Sequence, residues 1–238
     1  MYKKLRFVLI SFLVILVLGT LLNIETTTRQ GVNFVVHARK IPLYLKLCNF
    51  FDRHLNYREL ISEIISRGDS EEERILKIFT WTNRNIALQP KELPVIDDHV
   101  WHIIVRGYGV SDQFSDVFTT LCNYVKMEAF FKIIESKNSS APFSFVKIRN
   151  RWVIFDPYNG IYFRNKTGEL VDLRDISRGN WQVISIEGAS FKKQFDYREL
   201  FSSFPEDIID ATSQRARIQS PLNRLIFEMN KWLKIKSG

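Results

Sequence analysis

The spacing of apolar residues divides the chain into three stretches with different patterns. The first 24 residues contain an uncharged apolar run, Phe7–Ile24, behind a short basic head of Lys3, Lys4 and Arg6. Between about residues 41 and 125, apolar residues recur every three to four positions, as on one face of a helix. Beyond Met127 the period falls to two, which is typical of strands. The pattern therefore predicts an apolar helix, then amphipathic helices, then a sheet.

Two of the predicted amphipathic helices have recognisable beginnings. Ser70 and Glu73 form a capping-box sequence, in which each side chain bonds the backbone N–H of the other residue. A later helix begins near Ser111, and it is expected to form the core together with the sheet. Its broad apolar face is made of Phe114, Val117, Phe118, Leu121, Cys122 and Val125.

Four alternating segments predict the strands of an antiparallel sheet. They are separated by polar turns and comprise Met127–Ile134, Phe143–Ile148, Trp152–Phe155 and Ile161–Phe163. Helices that precede an antiparallel sheet predict an α+β fold. Residues 171–238 are expected to be loop and helix packed on this domain as a C-terminal extension. Within it, Leu222–Trp232 is predicted to be an amphipathic helix through which a protein partner can dock.

The apolar run near the N-terminus predicts a signal-anchor helix over residues 1–24. As a helix its 18 residues span about 27 Å, close to the hydrocarbon thickness of a bilayer. The run is long for a cleaved signal peptide, and Leu18–Leu22 offers only a poor cleavage site. The basic head favours a single-pass topology with the body outside the cytoplasm, in the periplasm or at the cell surface. Residues 25–45 then form a juxtamembrane connector, and residues 46–170 form the domain.

Composition limits the classes of partner. The net charge of +8 fits a protein near anionic lipid or an envelope polymer, but no block of Lys and Arg predicts nucleic-acid binding. Cys48 and Cys122 are too few for a disulfide scaffold or a zinc site. The sequence has no metal-binding or nucleotide-binding motif, so neither a metal nor a cofactor is expected.

Candidate chemistry is concentrated between Gly107 and Asp156. A turn bracketed by Gly107 and Gly109 delivers Ser111, followed at once by Asp112, to the start of a helix. The N-terminus of a helix stabilises negative charge and is therefore a place where enzymes hold a nucleophile. The sequence makes this turn the candidate site.

Three segments of the chain resemble a transglutaminase-like (papain-type) domain. They are the helix Glu73–Ile86, the glycine turn and helix Gly107–Phe118, and the strand Trp152–Pro157. Together they cover roughly residues 70–165. The resemblance implies a site built from cysteine, histidine and aspartate in that order. In that site the thiolate attacks an amide, the imidazole acts as base and then acid, and the aspartate orients the imidazole.

Carried over residue by residue, the resemblance departs from the family at two of its three positions. It places Ser111 at the nucleophile, Ala141 at the histidine and Asp156 at the acid. All four histidines, His37, His54, His99 and His102, precede Ser111. A serine hydroxyl depends on an adjacent base, and the charge of Asp112 would oppose its ionisation. The resemblance therefore implies a pseudoenzyme.

The expected function is binding of an extended peptide or an envelope polymer in the remnant cleft. Trp101, Tyr108 and Trp152 are the expected walls, with His102 and Asp112 beside them.

Several alternatives stay open from the sequence. The chain could be a hydrolase or peptidase of the same family that uses Ser111 with His102, or with a water held by Asp112 and Asp156. It could instead be a structural partner of a membrane assembly. Asp156 could also simply cap the turn that follows it, and Cys122 is expected to be a core thiol.

Overall fold

A computed structural model describes residues 2–97, 99–188, 192–204, 226–227 and 229–230. Its helices are α1 (Tyr2–Leu22), α2 (Leu43–Ile64), α3 (Glu71–Asn85), α4 (Val100–Arg106), α5 (Ser111–Tyr124), α6 (Leu173–Ser177) and α7 (Tyr197–Ser202). Its strands are β1 (Glu25–Val32), β2 (Val35–Pro42), β3 (Ala87–Leu88), β4 (Ile96–Asp97), β5 (Tyr108–Gly109), β6 (Ala129–Glu135), β7 (Ser140–Ile148), β8 (Arg151–Asp156), β9 (Ile161–Arg164) and β10 (Gln182–Ser185). Most of the predicted docking helix Leu222–Trp232 lies outside the described residues.

The chain divides into two compact units. The first contains residues 1–56 and 94–98, and the second contains residues 57–93 and 99–238. The first unit begins with α1, which is long and apolar enough to cross a membrane and has no buried residue. Its 21 residues span about 31 Å as a helix. Its length and composition fit a signal anchor and a signal sequence alike.

The stretch predicted to be a connector contains a β-hairpin. β1 and β2 pair in antiparallel fashion over all eight residues of each strand. Asn33 and Phe34 form the turn between them, with φ values of 47° and 67°. Two such residues with positive φ are typical of tight hairpin turns, because their twist matches that of the strands. β4 pairs with the other edge of β1, so the hairpin becomes a three-stranded sheet.

The second unit contains a five-stranded sheet in the order β10-β9-β8-β7-β6. All of its pairings are antiparallel and join strands that are consecutive in the sequence. Helices precede this sheet, so the prediction of an α+β fold with helices before an antiparallel sheet is confirmed. β10 lies in the stretch that the sequence predicted to be loop and helix, and it adds a fifth strand to the four predicted ones.

Each face of this sheet carries its own apolar cluster. The first cluster joins one face to α3 and α5, and its centre is formed by the rings of Phe79, Phe118 and Phe155, whose centroids lie 5.1 to 5.5 Å apart. The second cluster joins the other face to α6 and α7 and includes Phe163 and Phe201, 4.9 Å apart. The sheet therefore separates α3 and α5 from α6 and α7.

The alternation of side chains along β8 explains why two clusters form. Val153 and Phe155 belong to the first cluster, whereas Trp152 and Ile154 belong to the second. Successive side chains of a strand point to opposite faces, so a run of apolar residues fills both faces at once.

The helix α3 begins at the predicted capping box. The backbone N–H of Glu73 donates to Ser70 Oγ over 3.3 Å, and that of Ser70 donates to Glu73 Oε2 over 2.8 Å. This prediction is confirmed, because both reciprocal bonds are present.

Candidate functional site

The turn before α5 is held by side chains from both of its flanking helices. Gly107 ends α4 in the left-handed conformation, with φ of 70°, which glycine adopts without strain. Gln113 Oε1 accepts hydrogen bonds from Arg106 Nη2 over 2.9 Å and from the Val110 N–H over 3.2 Å. A Cβ at Gly109 would lie only 2.7 Å from the same oxygen. A side chain at position 109 would therefore displace the Gln113 amide and disturb the hydrogen bonds that hold the turn.

Ser111 is the first residue of α5, as the sequence predicted, and Asp112 is the second. Both are partly buried. His102 lies on α4 and is exposed, and its ring centroid is 5.8 Å from that of His99. In the part of the chain that the structure describes, no hydrogen bond joins Ser111 Oγ to an imidazole. The geometry thus gives Ser111 a helix N-terminus without a histidine base.

Asp156 ends β8 and has no exposed surface. Its Oδ2 accepts hydrogen bonds from the Tyr197 hydroxyl over 2.7 Å and from Asn159 Nδ2 over 2.9 Å. Its Oδ1 accepts from the Asn159 N–H over 3.1 Å. Asn159 Oδ1 in turn accepts the backbone N–H groups of Lys192 and Lys193, over 3.1 and 3.0 Å. Asp156 therefore caps its own turn and ties it to α7 and to the segment that precedes α7.

Burial controls the protonation of this network. It raises the pKa of Asp156, although the hydrogen bonds from Tyr197 and Asn159 act in the opposite direction. Burial and the neighbouring charge of Asp156 raise the pKa of Tyr197, so its hydroxyl stays protonated and can donate. The Tyr197 hydroxyl therefore remains a hydrogen-bond donor to Asp156.

The three positions carried over from the resemblance do not share one face of the sheet. α5, with Ser111 at its start, packs on the face of the first cluster. Ala141 is buried in β7 and belongs to the second cluster. Asp156 follows Phe155 of the first cluster, so alternation directs its carboxylate to the other face, where Tyr197 binds it. A histidine at position 141 would point into the second cluster and away from α5.

Lys192 is a buried cation that the sequence analysis missed. Its Nζ has almost no exposed surface and no hydrogen-bond partner among the residues that the structure describes. The same atom lies 3.9 Å from the ring centroid of Phe114 and 5.6 Å from that of Tyr158. Burial lowers the pKa of Lys192 to about 8, against the opposing effect of the Asp156 charge. Because Phe114 lies one turn after Ser111, the amine lies against the beginning of α5.

Replacing Lys192 by methionine is expected to raise the free energy of unfolding near pH 7 by about 1 kcal/mol, a value discounted for the exposed part of the side chain. The folded state holds this amine with a pKa of about 8, whereas the unfolded chain holds it at about 10.4. The unfolded state binds more protons between these values, so wild-type stability rises with pH across that window.

Denaturant titrations near pH 7 and near pH 10 measure this effect, with Lys193→Met as the control at an exposed neighbour. The advantage of the Lys192→Met variant should shrink at the higher pH. An equal difference at both pH values would contradict the assignment of a buried, partly deprotonated amine.

The residues predicted to line a cleft do not share one surface. Trp101 is partly buried, and its ring meets the edge of Tyr57 at a centroid distance of 5.2 Å. Trp152 is only 7% exposed and packs on Phe130, 5.0 Å away, in the second cluster. Trp152 is thus a core residue. The predicted cleft residues that keep exposed surface beside α5 are Trp101, His102, Tyr108 and Asp112.

A shallow cavity of about 410 Å³ lies elsewhere in the second unit. Its lining residues are Ile176, Gly179, Trp181, Arg198, Phe201 and Ser202. Ile176 and Phe201 belong to the second cluster, so the cavity lies on the face of the sheet opposite α5. It includes none of the predicted site residues.

The thiols and possible metal ligands contribute little to the site. Among the described residues, no three side chains of His, Cys, Asp or Glu are grouped so that they could hold a metal ion. Cys122 has no exposed surface, and burial raises the pKa of its thiol, so it is the core thiol that the sequence predicted. Cys48 is exposed.

Comparison with known proteins gives distant structural similarities only. No family model matches the sequence, and neither does any curated protein. One similar structure is a protein of Cytophaga hutchinsonii assigned as a cysteine protease: it is 15% identical, with a TM-score of 0.39, over 61% of this chain and 56% of that chain. Another is a TGase: it is 11% identical, with a TM-score of 0.35, over 76% of this chain and 49% of that chain. The chain spans about half the length of each of these structures.

Proposed function

We propose that this chain is a membrane-anchored, extracytoplasmic protein whose transglutaminase-like domain binds an extended peptide or envelope polymer without cleaving it. The observation that carries the proposal is the hydrogen bonding of Asp156. Its two oxygens accept bonds from Tyr197 and Asn159 at a site with no exposed surface. A carboxylate held in this way stabilises a turn and is poorly placed to orient a catalytic base.

The other two catalytic positions support the same conclusion. Ser111 has the helix N-terminus that a nucleophile needs, but a hydroxyl is hardly ionised at neutral pH without an adjacent base. Ala141 has no titratable group, and no histidine follows Ser111 in the sequence. Cys122 cannot replace the nucleophile, because it is buried in the first cluster.

The binding surface of this proposal lies beside the first turn of α5. Trp101 and Tyr108 offer partly exposed rings there, and Asp112 offers a carboxylate at the start of the helix. Aromatic faces and a few polar groups are a common lining for extended ligands, since the rings supply contact area at low entropic cost. Membrane anchoring by α1 would hold this surface close to envelope polymers.

The test uses the purified full-length chain in detergent, with cross-linking, deamidation and peptide-hydrolysis assays and with binding to soluble fragments of envelope polymer. The wild type and Ser111→Ala should both show no turnover and should bind equally well. Trp101→Ala should weaken binding by roughly tenfold, the loss expected for one partly buried aromatic contact. Trp152→Phe serves as the matched control, because Trp152 is a core residue away from this surface.

A second candidate, a rearranged serine-type hydrolase, rests on the position of Lys192, whose Nζ lies 3.9 Å from the ring centroid of Phe114, one turn after Ser111. A desolvated amine with a pKa of about 8 is partly neutral at physiological pH and can accept a proton from a hydroxyl. Turnover by the wild type that both Ser111→Ala and Lys192→Met abolish would replace the binding proposal with this one.

A further inference from the structure

Exposed apolar residues are concentrated in the first unit beyond α1. Within residues 25–56, seven large apolar side chains are exposed: Phe34, Val35, Val36, Tyr44, Leu45, Phe51 and Leu55. Among its described residues, the second unit has a similar number of exposed large apolar side chains, distributed over a much longer part of the chain. An exposed apolar patch of this density usually marks a contact with another apolar surface.

The exposed residues of α2 form a regular stripe. Tyr44, Cys48, Phe51 and Leu55 follow a spacing of four, three and four residues, which places them on one side of the helix. We name these four residues the α2 stripe. Tyr44, Phe51 and Leu55 are 45%, 57% and 60% exposed, and Cys48 is also exposed. The part-buried residues of the same segment, Leu43, Leu47, Phe50 and His54, lie on a different side.

The α2 stripe begins where α1 ends. α1 stops at Leu22, and the N–H of Leu43, the first residue of α2, donates to the carbonyl of Ile24 over 2.9 Å. Lys46 Nζ donates to the carbonyl of Thr27 over 3.0 Å, which also holds the start of α2 against β1. At 1.5 Å per residue, Cys48 lies only about 8 Å along α2 from this junction and Leu55 about 18 Å.

The charge of this segment favours an anionic surface. Residues 23–56 contain five basic residues, Arg29, Arg39, Lys40, Lys46 and Arg53, and two acidic ones, Glu25 and Asp52, for a net charge of +3. Each basic residue near an anionic bilayer contributes about 1 kcal/mol of attraction. On α2 itself, Lys46 and Arg53 lie on the side opposite the stripe. An apolar stripe with basic residues on the polar side is the combination that holds amphipathic helices in the interfacial layer of a membrane.

We propose that the α2 stripe lies in the interfacial layer of an anionic lipid bilayer, next to the point where α1 leaves the membrane. The proposal rests on the proposed anchoring by α1. In this arrangement Tyr44, Phe51 and Leu55 enter the boundary between headgroups and acyl chains, while the polar residues of α2 remain in water. The stretch 25–56 is then a platform bound to the membrane surface and not a free connector.

Cys48 provides a probe for the test within the native chain. It is exposed, whereas Cys122 is buried and its thiol pKa is raised, so an environment-sensitive fluorophore with a thiol-reactive group labels Cys48 selectively. The full-length protein is reconstituted into vesicles of phosphatidylcholine and phosphatidylglycerol. We expect a blue-shifted emission and quenching by spin labels near the top of the acyl chains. The same result is expected for Phe51→Cys and Leu55→Cys in a Cys48→Ser background.

The matched control places the probe off the stripe on the same helix. Asn49 is exposed and next to Cys48, so a probe at Asn49→Cys in the Cys48→Ser background should show aqueous emission without quenching by lipid. Aqueous emission at position 48 in protein that floats with the vesicles would overturn the interfacial proposal and leave the anchoring intact. Protein that does not float would overturn both.

A second copy of the chain is the competing occupant of the stripe. Energy transfer between differently labelled copies at Cys48, together with shielding from water but no quenching by lipid, would overturn the lipid assignment and identify the stripe as a dimer contact.

Discussion

Replacing Asp156 by alanine is expected to lower the free energy of unfolding by about 3 kcal/mol. The substitution leaves the Tyr197 hydroxyl and two N–H groups of Asn159 without their acceptor at a site that water does not reach. A buried donor that loses its partner costs about 1–3 kcal/mol. Thermal denaturation of the purified full-length protein should therefore show a fall in Tm of roughly 10 °C.

Two further variants distinguish the effect of losing the buried hydrogen-bond network from the effect of losing an exposed carboxylate. Tyr197→Phe removes one of the three donors and should cost about 1 kcal/mol. Asp196→Ala removes an exposed carboxylate that caps α7 through the N–H groups of Arg198 and Glu199, and it should also cost about 1 kcal/mol. An Asp156→Ala variant as stable as the wild type would contradict the structural role assigned to this residue.

The pH dependence of the Asp156→Ala difference has a defined sign. Burial raises the pKa of Asp156 in the folded state above its unfolded value of about 3.9. The stabilising contribution of such a group is fully present below the unfolded pKa and is lost as the pH rises through the folded pKa. The difference between the wild type and the variant should therefore be largest in acid and should shrink toward neutral pH.

Two arginines at the centre of α1, introduced as Leu13→Arg with Val14→Arg, are expected to release the protein from membranes. Each arginine at the middle of a spanning helix costs about 2.5–3.5 kcal/mol of insertion free energy. A combined loss of about 6 kcal/mol corresponds to roughly a 10⁴-fold change in partition. The fraction that stays in alkali-washed membranes measures the effect.

The control for this experiment keeps the helix apolar through Leu13→Ile with Val14→Ile. This control variant should remain in the membrane fraction, and its intact mass should include residues 1–24. Wild-type protein found in the soluble fraction without these residues would show a cleaved signal sequence and would refute the anchor.

The elements that face a core were predictable from the sequence. The predicted strand Trp152–Phe155 corresponds to β8 (Arg151–Asp156), and the predicted strand Phe143–Ile148 lies within β7 (Ser140–Ile148). The start of α3 was predictable for a different reason, because the hydrogen bonds of the capping box specify it locally. The hairpin of β1 and β2 was not predictable in this way, because its strands bury few side chains. Of its 16 strand residues only Gly31 is buried, so the sequence has no apolar alternation there to indicate strands.

The arrangement of the candidate site was less predictable, for a physical reason. Counting residues along the chain located Asp156 at the end of a strand but could not say which face its carboxylate would take. That face depends on the alternation along β8, where Phe155 packs toward α5 and Asp156 turns to Tyr197. Tyr197 and Lys192 lie far from Asp156 in sequence, and nothing in their local sequence marks them as its neighbours.

The way in which Asn159 is held has a consequence for the chemical ageing of the protein. An asparagine followed by glycine, here Asn159 and Gly160, is among the most easily deamidated pairs in an unfolded chain. In the folded chain both ends of the side-chain amide are bonded and the residue is completely buried, so the amide cannot turn toward the next nitrogen. Each episode of unfolding would convert part of the population to isoaspartate and aspartate, which would place a second carboxylate against Asp156 and hinder refolding. The heat resistance of this protein would then depend on the time that it spends unfolded. The rates of unfolding and refolding would therefore matter as well as the equilibrium free energy of unfolding.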